Sequence, residues 1–93
     1  MKLSIELTMY PLKDNYLPVI EGFIDHLKDY KGIKIEVFPT CTVIMGEYEN
    51  VMEVLSSSIK WSVNNKDKAV FITKFLPNYE ALWFRYDSNH HEY

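Results

Sequence analysis

Hydrophobic periodicity changes several times along this chain, and those changes constrain its fold more than any single motif does. Apolar residues alternate with polar ones from Leu3 to Met9, recur every three or four positions from Leu17 to Leu27, and alternate again from Ile33 to Val37. A period of two indicates a strand with one apolar face, whereas a period near 3.6 indicates an amphipathic helix. The first half of the chain therefore predicts strand, helix and strand.

The first helix is bounded by recognisable start and stop signals. The preceding strand ends at Tyr10-Pro11-Leu12, and Asp14 or Asn15 can then cap a helix. Gly32 supplies a stop, because glycine readily adopts the left-handed conformation that follows many helices. These signals predict a helix at roughly residues 15 to 31.

The middle of the chain predicts a β-hairpin. Residues 33–37 and 41–48 are both extended runs, and the short connection Phe38-Pro39-Thr40 separates them. Two strands joined by so short a connection are expected to pair in antiparallel fashion.

A second helix and a fourth strand complete the pattern. Asn50 followed by Glu53 resembles a capping box, and the apolar stripe after it runs to Asn64-Asn65. Residues 68 to 76 are rich in β-branched and aromatic side chains and stop at Pro77, as a strand would.

The order β-α-β-β-α-β predicts an α+β, ferredoxin-like sandwich, with a four-stranded antiparallel sheet and both helices on one face. Right-handed crossovers place the first and third strands at the centre. Residues 1–77 then form the ligand-binding domain, and residues 78–93 form an aromatic C-terminal extension. That extension is either a short helix or an edge strand, packed on the open sheet face or on a partner.

Strand parity predicts which side chains face away from the helices. In the first strand, the apolar residues from Leu3 to Met9 are expected to face the helices. Ser4, Glu6 and Thr8 are expected to face outward. In the third strand, either Thr42 and Ile44 or Cys41 and Val43 face outward, and we favour Thr42 and Ile44. A polar site is then expected beside Glu6, Thr8 and Thr42, at the edge of a subunit interface and not between the two helices.

Charge and composition exclude several classes of protein. The formal net charge is −3 and the only arginine is Arg85, which argues against a nucleic-acid partner. One cysteine cannot form an internal disulfide, and neither an apolar run of about 18 residues nor a charged leader is found. A cytoplasmic protein with no membrane partner is therefore expected.

Three stretches of the chain carry a family resemblance: Ile5-Glu6-Leu7-Thr8-Met9-Tyr10-Pro11-Leu12, the segment from Pro39 to Gly46 with Tyr48 beyond it, and Lys68 to Pro77. Together they resemble the YkoF-like family of thiamine- and hydroxymethylpyrimidine-binding proteins. The resemblance implies a ferredoxin-like fold, binding of the pyrimidine end of thiamine without catalysis, and dimers or tandem repeats that join sheets. This chain holds one repeat, so a homodimer or tetramer is expected to supply the second half.

Five residues are predicted to contact the ligand: Glu6, Thr8, Tyr10, Thr42 and Tyr48. A carboxylate can accept a hydrogen bond from an exocyclic amine or balance a thiazolium cation, and hydroxyls can donate or accept. Tyrosine rings can stack on a flat heterocycle. Glu6 has a competing interpretation as a strand carboxylate paired with Lys74 or with water.

Two other functions compete with ligand binding. An acylphosphatase-type enzyme shares the fold class, but it needs an arginine after the first strand, where this chain has Lys13 and Asp14. A regulatory or assembly module would use the open sheet only to pair with another subunit. The sequence predicts no enzyme activity, no catalytic residue, no metal site and no cofactor.

Overall fold

The computed structural model describes residues 1–65 and 67–82. Six elements follow one another in the predicted order, which confirms the α+β, ferredoxin-like fold. They are β1 (Lys2–Pro11), α1 (Leu17–Leu27), β2 (Ile33–Val37), β3 (Thr42–Glu47), α2 (Tyr48–Asn64) and β4 (Ala69–Pro77).

The four strands form one antiparallel sheet in the order β2-β3-β1-β4. This order confirms that the first and third strands are central. Ile5 lies opposite Ile44 of β3 on one side and Phe75 of β4 on the other. Residues directly opposite one another share a face, so odd-numbered residues of β1 and β4 face the helices. We call that side the helix face and the other side the outer face.

The main core lies between the helix face and the two helices. Its fully buried members come from both layers, and they include Leu3, Ile5, Leu27, Ile44, Val51 and Val54. The rings of Phe23 in α1 and Phe71 in β4 meet with their centroids 5.4 Å apart. Burial of each such side chain stabilises the fold by about 1.5–3 kcal/mol.

An aromatic cluster holds the C-terminal half of α1 against α2. The ring of His26 stacks on Trp61, with centroids 4.1 Å apart and an interplanar angle of 8°. His26 Nε2 also lies 3.0 Å from the Tyr30 hydroxyl. Burial raises the pKa of Tyr30, whereas a side-chain hydrogen bond with Ser57 opposes the rise. The stacking of His26 on Trp61 thus joins the two helices near the end of α1 that is farther from Tyr16.

The predicted orientation of β3 is wrong. Thr42 lies opposite Leu7, and Ile44 lies opposite Ile5, so both face the helices. Val43 and Met45 share the outer face with Glu6 and Ser4 instead. Thr42 and Ile44 are both buried, since they are only 7% and 0% exposed.

Helix α1 is shorter at both ends than predicted, whereas helix α2 begins earlier than predicted and ends at Asn64 as expected. Helix α1 spans only residues 17 to 27, with Pro18 in its first turn and no side-chain cap from Tyr16. The chain then turns through residues 28–32, where Gly32 has a φ of 78°. Glycine therefore ends the connection to β2 and not the helix itself.

Helix α2 begins at Tyr48, so Asn50 lies within its first turn and caps nothing. The Asn50 side chain instead donates a hydrogen bond from Nδ2 to the Lys31 carbonyl, at 3.2 Å. The predicted capping box is thus replaced by a contact that fastens the α1–β2 connection to α2.

After β4 the chain returns across the outer face of the sheet. Asn78 adopts a φ of 57°, and its amide donates to the Lys2 carbonyl at 2.7 Å. Residues 78–82, which we call the return segment, then lead to Leu82, which is buried against Val43 and Met45. Part of the open face is therefore covered by the chain itself. The predicted extension from residue 83 onward lies outside the described residues.

Two leucines at opposite ends of α1 provide a matched test of this core. Leu27 is fully buried, whereas Leu17 is 58% exposed. We expect Leu27→Ala to lower the free energy of unfolding by about 2–5 kcal/mol, because a buried cavity remains. The same change at Leu17 is expected to cost less than about 0.5 kcal/mol. Urea denaturation measures both, and equal losses would contradict the described packing of α1.

Candidate functional site

A cavity of about 480 Å³ lies at one end of the sheet. Three parts of the chain surround it: the end of β1, the hairpin turn between β2 and β3, and one side of α1 together with Tyr16 before it. The lining residues are Thr8, Met9, Tyr10, Pro11, Tyr16, Ile20, Ile24, Val37, Phe38, Pro39, Thr40, Cys41 and Thr42.

The cavity exists because β1 is longer than its pairing with β3. The pairing of β1 with β3 ends at Leu7 and Thr42, whereas its pairing with β4 continues to Pro11 and Ala69. Beyond Thr42 the chain turns away toward β2 through residues 38–41, which we call the hairpin turn. The last residues of β1 are thus left beside a gap instead of a neighbouring strand.

Main-chain groups of Met9 point toward this gap. The Lys2 carbonyl accepts from Asn78 and the Leu12 amide donates to Lys68, so even-numbered residues of β1 direct their main-chain groups toward β4. Since these directions alternate along a strand, Met9 directs its N–H and C=O to the β3 side. No residue of β3 lies opposite Met9 in the described pairing. A donor and an acceptor are therefore offered together at the cavity wall.

The hairpin turn forms the opposite wall and is held by two hydrogen bonds. The Phe38 amide donates to the Cys41 carbonyl at 2.8 Å, which closes the turn. The Thr8 hydroxyl donates to the Thr40 carbonyl at 3.1 Å, which joins the turn to β1. Both bonds place polar atoms near the cavity without filling it.

Charged side chains are absent from the described cavity lining, which is mainly apolar and aromatic. Thr42 contributes a hydroxyl from a position that is 7% exposed, and Tyr10 and Tyr16 contribute rings that are about half exposed. A flat, uncharged ring fits such surroundings, because it can bury its faces and bond through its edge. A charged group would lose its hydration there without gaining a counter-charge.

Three of the five predicted site residues line the cavity: Thr8, Tyr10 and Thr42. Thr42 reaches it from the helix face, whereas the side chains of Thr8 and Tyr10 lie on the outer face. The structure thus places the three residues around one end of β1. Whether a ligand contacts them stays a prediction.

The other two predicted site residues do not line the cavity. Glu6 lies on the outer face, two residues before Thr8 and opposite Lys74 of β4. Tyr48 begins α2 at the far end of the sheet, where its amide donates to the Met1 carbonyl. Beside it, a hydrogen bond with Lys2 lowers the pKa of the Glu47 carboxyl. Tyr48 is therefore separated from the other candidates by the length of β3.

Sequence reasoning missed the helical wall of the cavity. Ile20 and Ile24 are partly buried and line the cavity together with Tyr16, and Ile20 also packs against the main core. No residue of α2 is among the lining residues, so the cavity does not lie between the helices. The predicted topology did indicate where the cavity lies, because the end of β1 and the β2–β3 connection must meet at the same end of an antiparallel sheet.

In the ranges 1–65 and 67–82, His, Cys, Asp and Glu side chains form no group of three that could hold a metal ion. Among the described helices, none is both long and apolar enough to cross a membrane.

Comparison with known proteins gives similarity in structure only. No protein-family model matches the chain, and a search of curated proteins finds no match. Protein SP2199 from Streptococcus pneumoniae is 27% identical with a TM-score of 0.76, over 89% of this chain and 92% of that one.

Two further solved structures share the fold at lower identity. Protein TM0486 from Thermotoga maritima, provisionally named as a thiamine biosynthesis/salvage protein, is 24% identical with a TM-score of 0.72, over 87% of this chain and 86% of that one. A domain of unknown function, DUF77, from Bacillus cereus is 17% identical with a TM-score of 0.70, over 97% of this chain and 94% of that one. The chain therefore shares its fold with proteins from several organisms over nearly its whole length.

Proposed function

We propose that this protein binds thiamine or its hydroxymethylpyrimidine moiety, without catalysis, in the cavity at the end of β1. The observation that carries the proposal is the combination of an uncharged, mainly apolar lining with the Met9 main-chain donor and acceptor. An aminopyrimidine offers the complementary pair along one edge, a ring nitrogen that accepts and an amine that donates. Its two faces are apolar enough to be buried.

Two independent similarities support this choice of ligand. The motifs around Thr8, Thr42 and the fourth strand resemble the YkoF-like family, whose members bind the pyrimidine end of thiamine. The neighbour from Thermotoga maritima is provisionally named for thiamine biosynthesis or salvage, although its identity of 24% shows only the fold. Both similarities favour the same class of small molecule.

Ligand binding is expected to raise the melting temperature. A ligand that binds only the folded state stabilises it by about 2.7 kcal/mol at a hundredfold excess over its dissociation constant. For a domain of this size we expect a rise of roughly 10 °C with hydroxymethylpyrimidine, measured by differential scanning fluorimetry. An unchanged transition at millimolar hydroxymethylpyrimidine and thiamine would contradict the proposed ligand.

A matched pair of valine substitutions tests where the ligand binds. Val37 lines the cavity and is 44% exposed, so a tryptophan there can occupy the cavity without disturbing the core. Val63 is exposed on α2 and lies outside the lining. We expect Val37→Trp to abolish the thermal shift and Val63→Trp to retain it. Equal shifts in the two variants would place the ligand elsewhere.

Glu6 is proposed to contact the cationic part of thiamine and not its pyrimidine. Glu6 and Thr8 share the outer face two residues apart, which separates their Cα atoms by about 7 Å. With the pyrimidine in the cavity, a thiazolium near Thr8 can approach the Glu6 carboxylate. We expect Glu6→Gln to weaken thiamine binding several-fold and to leave hydroxymethylpyrimidine affinity unchanged, as calorimetry can measure. A parallel loss for both ligands would instead make Glu6 a partner of the amine.

A homodimer is proposed as the functional assembly. Tyr10, Val70 and Ile72 form an exposed strip on the outer face, each about half exposed, and Tyr10 also lines the cavity. Exposed apolar strips of this kind are common at subunit interfaces. A second copy on this strip would cover the open side of the cavity. The strip also favours the alternative function of an assembly module with no thiamine-type ligand.

The dimer predicts a scattering mass of twice 11.0 kDa at tens of micromolar. Ile72→Asp is expected to shift the mass to that of the monomer, because a carboxylate would be buried in the interface. Val63→Asp, an equally drastic change on an exposed part of α2, is expected to leave the dimer intact. A monomeric wild type would refute the assembly, and a dimer without any thermal shift would favour the assembly module.

A further inference from the structure

We infer that the return segment positions one wall of the cavity, with Ser4 and Leu82 as the positioning residues. This inference rests on the proposed function for its consequence on affinity, but its structural part is independent of any ligand. Neither residue lines the cavity. Both act through the hairpin turn, which does.

Ser4 anchors the start of the return segment from inside the sheet. Its hydroxyl donates to the Tyr79 carbonyl at 2.6 Å and accepts from the Ala81 amide at 2.9 Å. Ser4 is fully buried, so both main-chain groups would be difficult to satisfy without it. One side chain thus bonds to two main-chain groups of the return segment over the outer face.

Leu82 connects the return segment to the hairpin turn. It forms a buried cluster with Val43 and Met45, and the side chains of Phe38 and Cys41 pack against this same cluster. Phe38 and Cys41 are also lining residues of the cavity. The hairpin turn therefore has the cavity on one side and the cluster completed by Leu82 on the other.

The tip of the hairpin turn is exposed to solvent. Pro39 and Thr40 are exposed, and the bond from Thr8 to the Thr40 carbonyl is itself exposed to solvent. Exposed hydrogen bonds compete with water and hold a turn weakly. The packing of Phe38 and Cys41 on the cluster is an apolar contact that holds this wall away from solvent. Loss of Leu82 should let the turn open locally while the main core stays folded.

Cys41 provides a direct readout of this wall, because it is the only cysteine in the chain and is partly buried. A thiol reagent such as dithionitrobenzoate reports how often the turn exposes it. We expect Leu82→Ala to speed the reaction of Cys41 at least about tenfold at 25 °C, since opening of the turn becomes easier. Ser4→Ala should act in the same direction, and the volume-conserving Leu82→Met should restore the slow reaction.

Leu55→Ala is the matched control. Leu55 is a buried leucine of the main core that does not contact the cluster of Leu82. The substitution should lower overall stability comparably but leave the reaction rate of Cys41 unchanged well below the unfolding transition. If Leu55→Ala and Leu82→Ala accelerate the thiol equally, or if neither does, the return segment does not position the wall.

Affinity for hydroxymethylpyrimidine is the second readout, and it separates the two proposals. We expect Leu82→Ala to weaken binding about tenfold while Leu55→Ala binds as wild type does. Wild-type protein that fails to bind the compound would refute the proposed function, and the thiol rates would still decide the role of the return segment. If Cys41 reacts faster in Leu82→Ala but the affinity for hydroxymethylpyrimidine is unchanged, the return segment stabilises the hairpin turn without affecting binding. That result would overturn the inferred effect on affinity. Should Leu82→Ala fail to fold, Ser4→Ala carries the same comparison.

Discussion

The unequal pairing of the central strand determines most of what distinguishes this molecule. Strand β1 pairs with β4 as far as Pro11 but with β3 only as far as Leu7. If β3 paired with β1 along its whole length, it would fill this end of the sheet and bond to the main-chain groups of Met9. The hairpin turn instead leads away from β1 and leaves a gap, which α1 and Tyr16 line from the helix face. The cavity is therefore a consequence of strand length, and its polar edge comes from the main chain more than from side chains.

The outer face shows how a short domain can cover its own sheet. A ferredoxin-like sandwich leaves one face of the sheet without helices, and this chain covers the β3 side of that face with residues 78–82. Burial of Leu82 against Val43 and Met45 removes apolar surface that a second subunit would otherwise have to cover. The uncovered strip of Tyr10, Val70 and Ile72 lies on the β4 side. The apolar surface that stays exposed on the described outer face includes this strip, and Tyr10 of the strip also lines the cavity.

Element order and strand order were predictable from the sequence, because alternating periodicities and short connections permit few topologies. The orientation of β3 was not. All five residues from Thr42 to Gly46 are buried, since helices cover one face and the return segment covers the other. When both faces of a strand are apolar, hydrophobic periodicity does not show which of its side chains face the helices. The start of α2 was predicted wrongly for a different reason. Asn50 has the right identity for a cap, but its side chain forms a tertiary hydrogen bond to the Lys31 carbonyl instead. Thr8 and Thr42 were predicted from strand parity, and Tyr10 was added with the family resemblance. The part that α1 takes in lining the cavity follows from the packing of the helix on the sheet.

Absence of charge in the described cavity lining has a consequence for how a charged ligand must be oriented. Moving a cation from water into surroundings without a counter-charge costs several kcal/mol, which exceeds the gain from one or two neutral hydrogen bonds. A molecule with a neutral ring and a cationic ring must therefore place the neutral one inside. In the proposed complex the cationic ring would lie at the outer face near Thr8, where Glu6 is the next carboxylate along the strand. The described lining offers no lysine or arginine that could neutralise a phosphate. Burial would then select the orientation of the proposed ligand, and the Glu6 carboxylate would act only at the rim of the cavity.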